Sequence, residues 1–458
     1  MAELQFSLRN TLLKLLEEKR YYSLRDLFNT MNPADIAAVF EDIDEARLPL
    51  LFRLLPKELA AETFVEMEPE LQELLIRGFS DSELKEVIDE LYVDDAVDIV
   101  EEMPANVVQR ILTQAEPEMR KQINEILRYP EDSAGSIMTT EYVSLRPNMT
   151  VEEAILRIRR TGIDKETIYT CYVTRGHKLI GLVTVKDLLL CEDDEASIES
   201  IMQEHVISVN TLDDQEQVAQ MFSKYNFLAL PVVDTENRLV GIITFDDAMD
   251  VMEDETTEDM EKMAAMLPSD HPYMRSSPFE IWKNRIPWLL LLMISATLTG
   301  LVISRFENAL GVLPCLTAFI PMLMDTGGNA GSQASVTVIR GIGLGEIEFS
   351  DLFRIIWKEI RVAVLCGICL AVACFAKVML VDHLLMHNDS VSTTVALVVC
   401  LSLALTVFLA KLVGCTLPLL AKKLGFDPAV MASPLITTMV DFLSLLIYFT
   451  IAVSLLHI

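Results

Sequence analysis

Residues 431–450 read MASPLITTMVDFLSLLIYFT, and this stretch decides the architecture. Extended to Ile458 it is apolar and long enough to cross a bilayer, which takes roughly 20 residues of helix. One carboxylate, Asp441, interrupts it near the middle. A charge at bilayer depth is costly and by default marks a functional position, so the question is what Asp441 faces. Ser433, Thr437 and Asp441 recur at i, i+4 and i+8, which puts them on one helical face leading to the acid. Asp427-Pro428 marks the start of the helix, with Asp427 either an N-cap or an acid at a cytoplasmic mouth. Lys411, in the preceding apolar run, offers a plainer alternative: a buried ion pair with Asp441 and no substrate, unless it snorkels to the interface.

Working outward, apolar segments over 287–305, 312–339, 359–381, 391–420 and 429–457 predict five membrane spans. Lys283, Arg285, Arg340, Arg354, Lys358, Arg361, Lys422 and Lys423 then fall on one side, which places the N-terminus inside and the C-terminus outside. The second span carries PMLMDTGGNAGSQAS over 321–335, with Asp325, Asn329 and Gln333 on one face. Gly327, Gly328 and Gly331 would let a second helix or a hydrated ion approach the backbone. Together with the carboxylate and amides, they point to a pore lining. Cys366 and Cys369 form a CxxC inside an apolar run and read as small packing residues, not a metal or redox site.

Charge separates the chain into two parts. It holds 68 acids and 37 bases, of which ten and eleven follow Ile281; residues 1–280 therefore carry 58 against 26, a balance of −32. Such a field repels nucleic acid and attracts cations. The N-terminal stretch has no apolar core of signal-peptide type, so the acidic part is expected to stay in the cytoplasm. No nucleophile elbow, phosphate loop, metalloprotease helix or calcium-binding EF-hand loop is present, so an enzyme is not expected.

Two repeats follow one another in the acidic part. Ile137-Met138 matches Ile201-Met202, and the GLVT motif at Gly181 matches GIIT at Gly241. Each unit reads strand, helix, strand, turn, strand, helix, and the pair resembles tandem CBS (cystathionine β-synthase) domains. That resemblance implies an adenine nucleotide such as ATP, its ribose contacted by Thr184 and Asp187 or by Thr244 and Asp247. Before the repeats, short amphipathic helices recur (NPADIAAVFEDI, LPKELAAETFVEM, YVDDAVDIVEEMP), as in a helical solenoid. After them, TFDDAMDVMEDETTEDMEKM concentrates acids on one helix leading to the first span. Cations bridging this helix to Asp94, Asp95 and Asp98 would relieve its repulsion.

The order of these parts, with TGGNAGSQ and SPLITTMVD in the spans, is similar to that of the MgtE family of magnesium channels and transporters over nearly the whole chain. The expected fold is multidomain: an α-helical superhelical domain (1–131), α/β CBS repeats (132–196 and 197–250), an acidic connecting or plug helix (251–280) and an all-α domain of five spans (281–458). The resemblance implies a homodimer in the plasma membrane, with a pore lined by the second and fifth spans and Asp441 binding hydrated Mg²⁺ from both subunits. Asp325, Gly328, Asn329, Ser433 and Thr437 are the expected pore positions beside it. The resemblance also implies that cytosolic Mg²⁺ holds the pore closed through Asp94, Asp98, Glu216, Asp247, Asp250, Glu255, Glu258, Asp259 and Asp427. Asn226 stands where the family often has an acid, and Ser223 one turn earlier is also neutral, which weakens that corner. A broader Co²⁺ or Mn²⁺ transporter, and a nucleotide-sensing membrane regulator without a pore, are the alternatives.

Overall fold

The computed structural model describes residues 11–269, 273–274, 276–387, 390–431 and 433–457. The chain divides into two compact units, Met1–Met252 and Glu253–Ile458. The first combines short helices with two α/β repeats, and the second is helical throughout.

The helical part of the first unit is set by its punctuation. Pro33, Pro69 and Pro117 each stand at a first helical position, where the missing N–H costs nothing. Asn32 accepts from the Ala34 N–H at 3.1 Å, and Ser80 and Glu83 form a reciprocal capping box. Leu, Ile and Phe side chains then bury themselves between successive helices, with Phe28 and Phe40 meeting edge to face at 5.7 Å. Helix α1 (Val93–Glu102) belongs to this array and turns Val93, Ala96, Val97, Ile99 and Val100 inward.

Each repeat builds a three-stranded sheet. β1 (Val143–Leu145) runs parallel to β2 (Thr170–Arg175), which pairs antiparallel with β3 (Lys178–Thr184); helix α2 (Val151–Thr161) follows β1. β4 (Val209–Asn210), β5 (Ala229–Val233) and β6 (Leu239–Thr244) repeat that topology. The two are interlocked. Leu182 of the first sheet bridges to Gln203, and Ile242 of the second bridges to Thr139. A Cβ on Gly241 would lie 2.7 Å from both the Met138 sulfur and the Thr139 carbonyl oxygen. One on Gly181 would lie 2.7 Å from the Met202 sulfur. The matching glycines and methionines of the sequence are thus partners across the repeats: each methionine covers the other repeat's glycine.

Helix α3 (Phe245–Met263) follows β6 directly, so the 250/251 boundary set between repeat and connecting helix falls inside one helix. The second unit contains α4 (Pro278–Arg305), α5 (Ile320–Gly343), α6 (Leu352–Lys377), α7 (Thr393–Lys423) and α8 (Ser433–Leu456). Helix α5 packs against α7 and α8, α6 against α7, and α4 against α8. Among the described residues, four helices are long and apolar enough to cross a membrane: Pro278–Arg305, Phe349–Leu385, Thr393–Lys423 and Ala429–Leu456. The expected second span, α5, is not one of them. Its 24 residues would reach about 36 Å, enough for a bilayer, but the polar run from Asp325 to Ser335 dilutes its apolar character.

The α5–α7 crossing is as tight as backbone allows. A Cβ on Gly414 would sit 2.2 Å from the Gly331 carbonyl oxygen. Glycine at both positions is therefore a packing requirement.

Candidate functional site

The Asp325, Asn329 and Gln333 stripe of α5 lies on its exposed side, whereas Ser335 of the same helix is buried. Gly327, Gly328, Ala330, Gly331 and Ala334 are buried on the opposite side, against α7 and α8. The Asn329 amide donates to Asp325 Oδ1 at 3.2 Å, as i, i+4 spacing allows. Gly328 lies under Thr437 of α8: a Cβ there would be 2.8 Å from the Thr437 methyl carbon. Ser433 opens α8, and its side chain lies outside the described residues.

Asp441 is partly buried one turn beyond Thr437. Its Oδ1 is shielded from solvent and has no hydrogen-bond partner, and Asp325 is the charged group acting on it. Lys411 is not its counter-ion. That ammonium is buried 3.9 Å from Glu359 Oε2, an ion-pair separation too long for a hydrogen bond. The plainer reading of Asp441 as Lys411's partner is thereby corrected.

A second acidic constellation lies in the first unit. Asp94, Asp95 and Asp98 on α1 act electrostatically with Asp247 at the start of α3. Glu166, from the segment between α2 and β2, belongs to the same group. Burial first, then the neighbouring acids, push Asp95 and Asp98 up to about 7, Glu166 up to about 8 and Asp247 up to about 6. Asp94, 6% exposed, is raised well above the usual carboxylate range for the same reasons. Asp94 Oδ1 and Glu166 Oε2 are buried without hydrogen-bond partners. The strongest charged neighbours of all four groups outside Asp247 are acids. A cation supplied from solution would satisfy what the chain leaves open.

Among the described residues, no three Asp, Glu, His or Cys side chains are arranged to hold a metal directly. The oxygen-only chemistry still fits Mg²⁺, which keeps most of its waters and uses one or two carboxylates.

Three family models match this chain: the divalent cation transporter domain over 320–451, the MgtE intracellular N domain over 31–132, and CBS domains over 134–192 and 198–254. The magnesium transporter MgtE of Thermus thermophilus is 36% identical over 447 residues, 96% of this chain and 97% of that one. That of Bacillus subtilis is 32% identical, covering 97% and 96%. The chain belongs to the MgtE family. A crystal structure of the cytosolic domain of the Mg²⁺ channel MgtE in complex with ATP aligns with a TM-score of 0.51 at 36% identity, covering 53% of this chain and 99% of that one. MgtE proteins are transporters and channels, not enzymes, and this member is a multi-pass membrane protein with an MgtE intracellular N domain.

Other residues singled out by the MgtE resemblance fall elsewhere. Glu216 lies in the first turn of Gln215–Tyr225 and accepts from the Gln220 amide at 3.2 Å. Asp250 is one turn along α3 from Asp247 and acts on it. Glu255, Glu258 and Asp259 continue that helix. In the second unit Lys262 Nζ is 2.6 Å from Glu258 Oε1 and 2.7 Å from Asp427 Oδ2. Asp427 also accepts from the Ala429 N–H at 2.8 Å, a cap of its own chain. Asp259 is raised by burial and by Asp427, with Arg340 opposing.

The proposed nucleotide residues are helix caps here. Thr184 and Asp187 form a capping box, with Thr184 Oγ1 donating to Asp187 Oδ2 at 2.7 Å. Thr244 donates to Asp247 Oδ2 in the same way at 2.5 Å. One Asp247 oxygen is thus committed to the cap and the other is left for the acidic group. Asn226 adopts a left-handed conformation (φ 55°) at a helix C-terminus, which explains an amide there in place of an acid.

Glu166 and Lys262 went unnoticed in the sequence. Glu166 sits in a turn with no periodicity to betray it. Lys262, the one base in EDETTEDMEKM, was a visible exception to its surroundings.

Proposed function

We propose that the protein is a homodimeric Mg²⁺ channel or transporter of the plasma membrane that admits Mg²⁺ and is closed by cytosolic Mg²⁺. The observation that carries this reading is the outward polar stripe of α5. Asp325, Asn329 and Gln333 cannot face lipid without a large desolvation cost, so they require a polar or aqueous surface opposite them. A second copy placed against α5 and α8 supplies one, with two Asp441 carboxylates flanking a shared path. Hydroxyls, amides and carboxylates suit a hydrated hard cation such as Mg²⁺ rather than a soft metal. The acidic part then lies in the cytoplasm and α8 ends outside.

Gating follows from linkage. Mg²⁺ favours whichever conformation brings carboxylates together, and only in proportion to its differential affinity. Asp94, Asp98 and Asp247, with Asp95 and Glu166 beside them, form one such site. Glu216, Asp250, Glu255, Glu258, Asp259 and Asp427 supply the remaining regulatory acids, and ATP bound near Thr184, Asp187 and Thr244 would tune the same equilibrium. The test is Mg²⁺ uptake into proteoliposomes at low and millimolar Mg²⁺ on the cytosolic side, wild type beside Asp441→Ala. Flux abolished by the substitution and suppressed by cytosolic Mg²⁺ is the expected result. Flux indifferent to both would make Asp441 structural.

A further inference from the structure

Within the acidic first unit lies a cleft of the opposite character. At the hairpin end of the first repeat, a cavity of about 660 Å³ opens among Arg146, Arg157, Arg175 and His177. That volume lies within the roughly 300–1,000 Å³ typical of small-ligand sites. Arg146 follows β1, Arg157 projects from α2, and Arg175 ends β2. Gly176 and His177 both have positive φ, 58° and 68°, the geometry of a two-residue hairpin turn, which brings His177 to the rim.

The charges are left largely uncompensated. Arg175 pairs with Glu199 at 2.8 Å, the single acid in the lining. Neither Arg146 nor Arg157 makes a side-chain hydrogen bond or ion pair among the described residues. Acids outnumber bases by 58 to 26 over residues 1–280, so two unpaired guanidiniums sharing a cleft with a third run against that composition. The Ser144 and Thr174 hydroxyls, 3.0 Å apart, add neutral hydrogen-bonding groups to one wall.

We propose that this cleft binds a phosphate-bearing anion of about nucleotide size. Guanidinium forks match phosphate oxygens in pairs, and a basic concavity in an acidic surround focuses anions where the rest of the surface repels them. The site is distinct from Thr184 and Asp187. Those residues stand at the other end of β3, whose seven residues separate the two places by about 20 Å.

The test uses the full-length protein in detergent, metal-free, titrated with inorganic tripolyphosphate by calorimetry. Wild type should bind in the sub-millimolar range, and affinity should fall with added salt. Arg146→Ala with Arg157→Ala should weaken binding at least about ten-fold, the lysine pair at the same positions should restore part of it, and Asp187→Asn should leave it unchanged. Both arginines are exposed, so an unchanged melting temperature is expected of the variants and is measured alongside. No binding by wild type, equal affinity in the double alanine variant, or loss on Asp187→Asn alone would each overturn the proposal.

Discussion

Lys262 Nζ lies 2.7 Å from Asp427 Oδ2, so the carboxylate expected to bind a regulatory ion already holds an internal cation. The same ammonium reaches Glu258 at 2.6 Å. An incoming Mg²⁺ has to compete with it for both acids. Lys262→Met should therefore lower the cytosolic Mg²⁺ concentration needed for closure, by roughly three- to ten-fold for a contact worth about 1 kcal/mol. Flux titrations in proteoliposomes read this directly. An unchanged midpoint would remove these acids from the gate.

The acidic group on α1 makes stability depend on pH. Asp95, Asp98 and Glu166 bind protons more tightly in the folded chain than at their ordinary values of 3.8 and 4.5. The stability they contribute is therefore full below about pH 4 and is lost as pH rises through about 7 to 8. Metal-free protein should melt at progressively lower temperature over that window. Millimolar Mg²⁺ should abolish the slope by occupying the deprotonated site. Glu166→Gln should reduce it without metal, since Asp95 and Asp98 still titrate. A metal-free melting temperature constant across the window would contradict the assignment.

Gly414→Ala should separate α5 from α7, because its Cβ would meet the Gly331 carbonyl at 2.2 Å. Overpacking of this kind costs about 1–3 kcal/mol or more. We expect a lower melting temperature in detergent and reduced flux. Gly300→Ala, where a Cβ meets nothing within 4 Å, is the control and should be neutral or slightly stabilising.

Gly241→Ala should be worse tolerated than Gly181→Ala. Both collide with a methionine, which can move, but only at Gly241 does a backbone carbonyl also lie at 2.7 Å; at Gly181 the nearest one is 3.1 Å away. Thermal melts of the two variants should rank in that order.

What the sequence revealed depended on periodicity. The stripe of Asp325, Asn329 and Gln333 was legible because helical spacing is fixed, and Asp441 because charge in an apolar run is conspicuous. The repeats were legible as strings, yet nothing in a string says that Met138 belongs to Gly241 rather than Gly181; that exchange is a property of three-dimensional pairing. Glu166 joins α1 only through the chain's return between α2 and β2, a long-range contact without a local signal. The start of α3 was readable in principle: Thr244 and Asp247, three apart after a strand, are a capping signature. The segment of α5 was read as a span with the other four, yet its polar residues leave it less apolar than they are, and the same residues make it the element of most interest.

The exchange of methionines also bears on how such a chain can be inherited. Deleting either repeat would strip the cover from the survivor's glycine and remove the strand partner at Leu182 or Ile242. Two copies that read as separate modules have become a single heritable unit, which can be transplanted or lost whole but not halved.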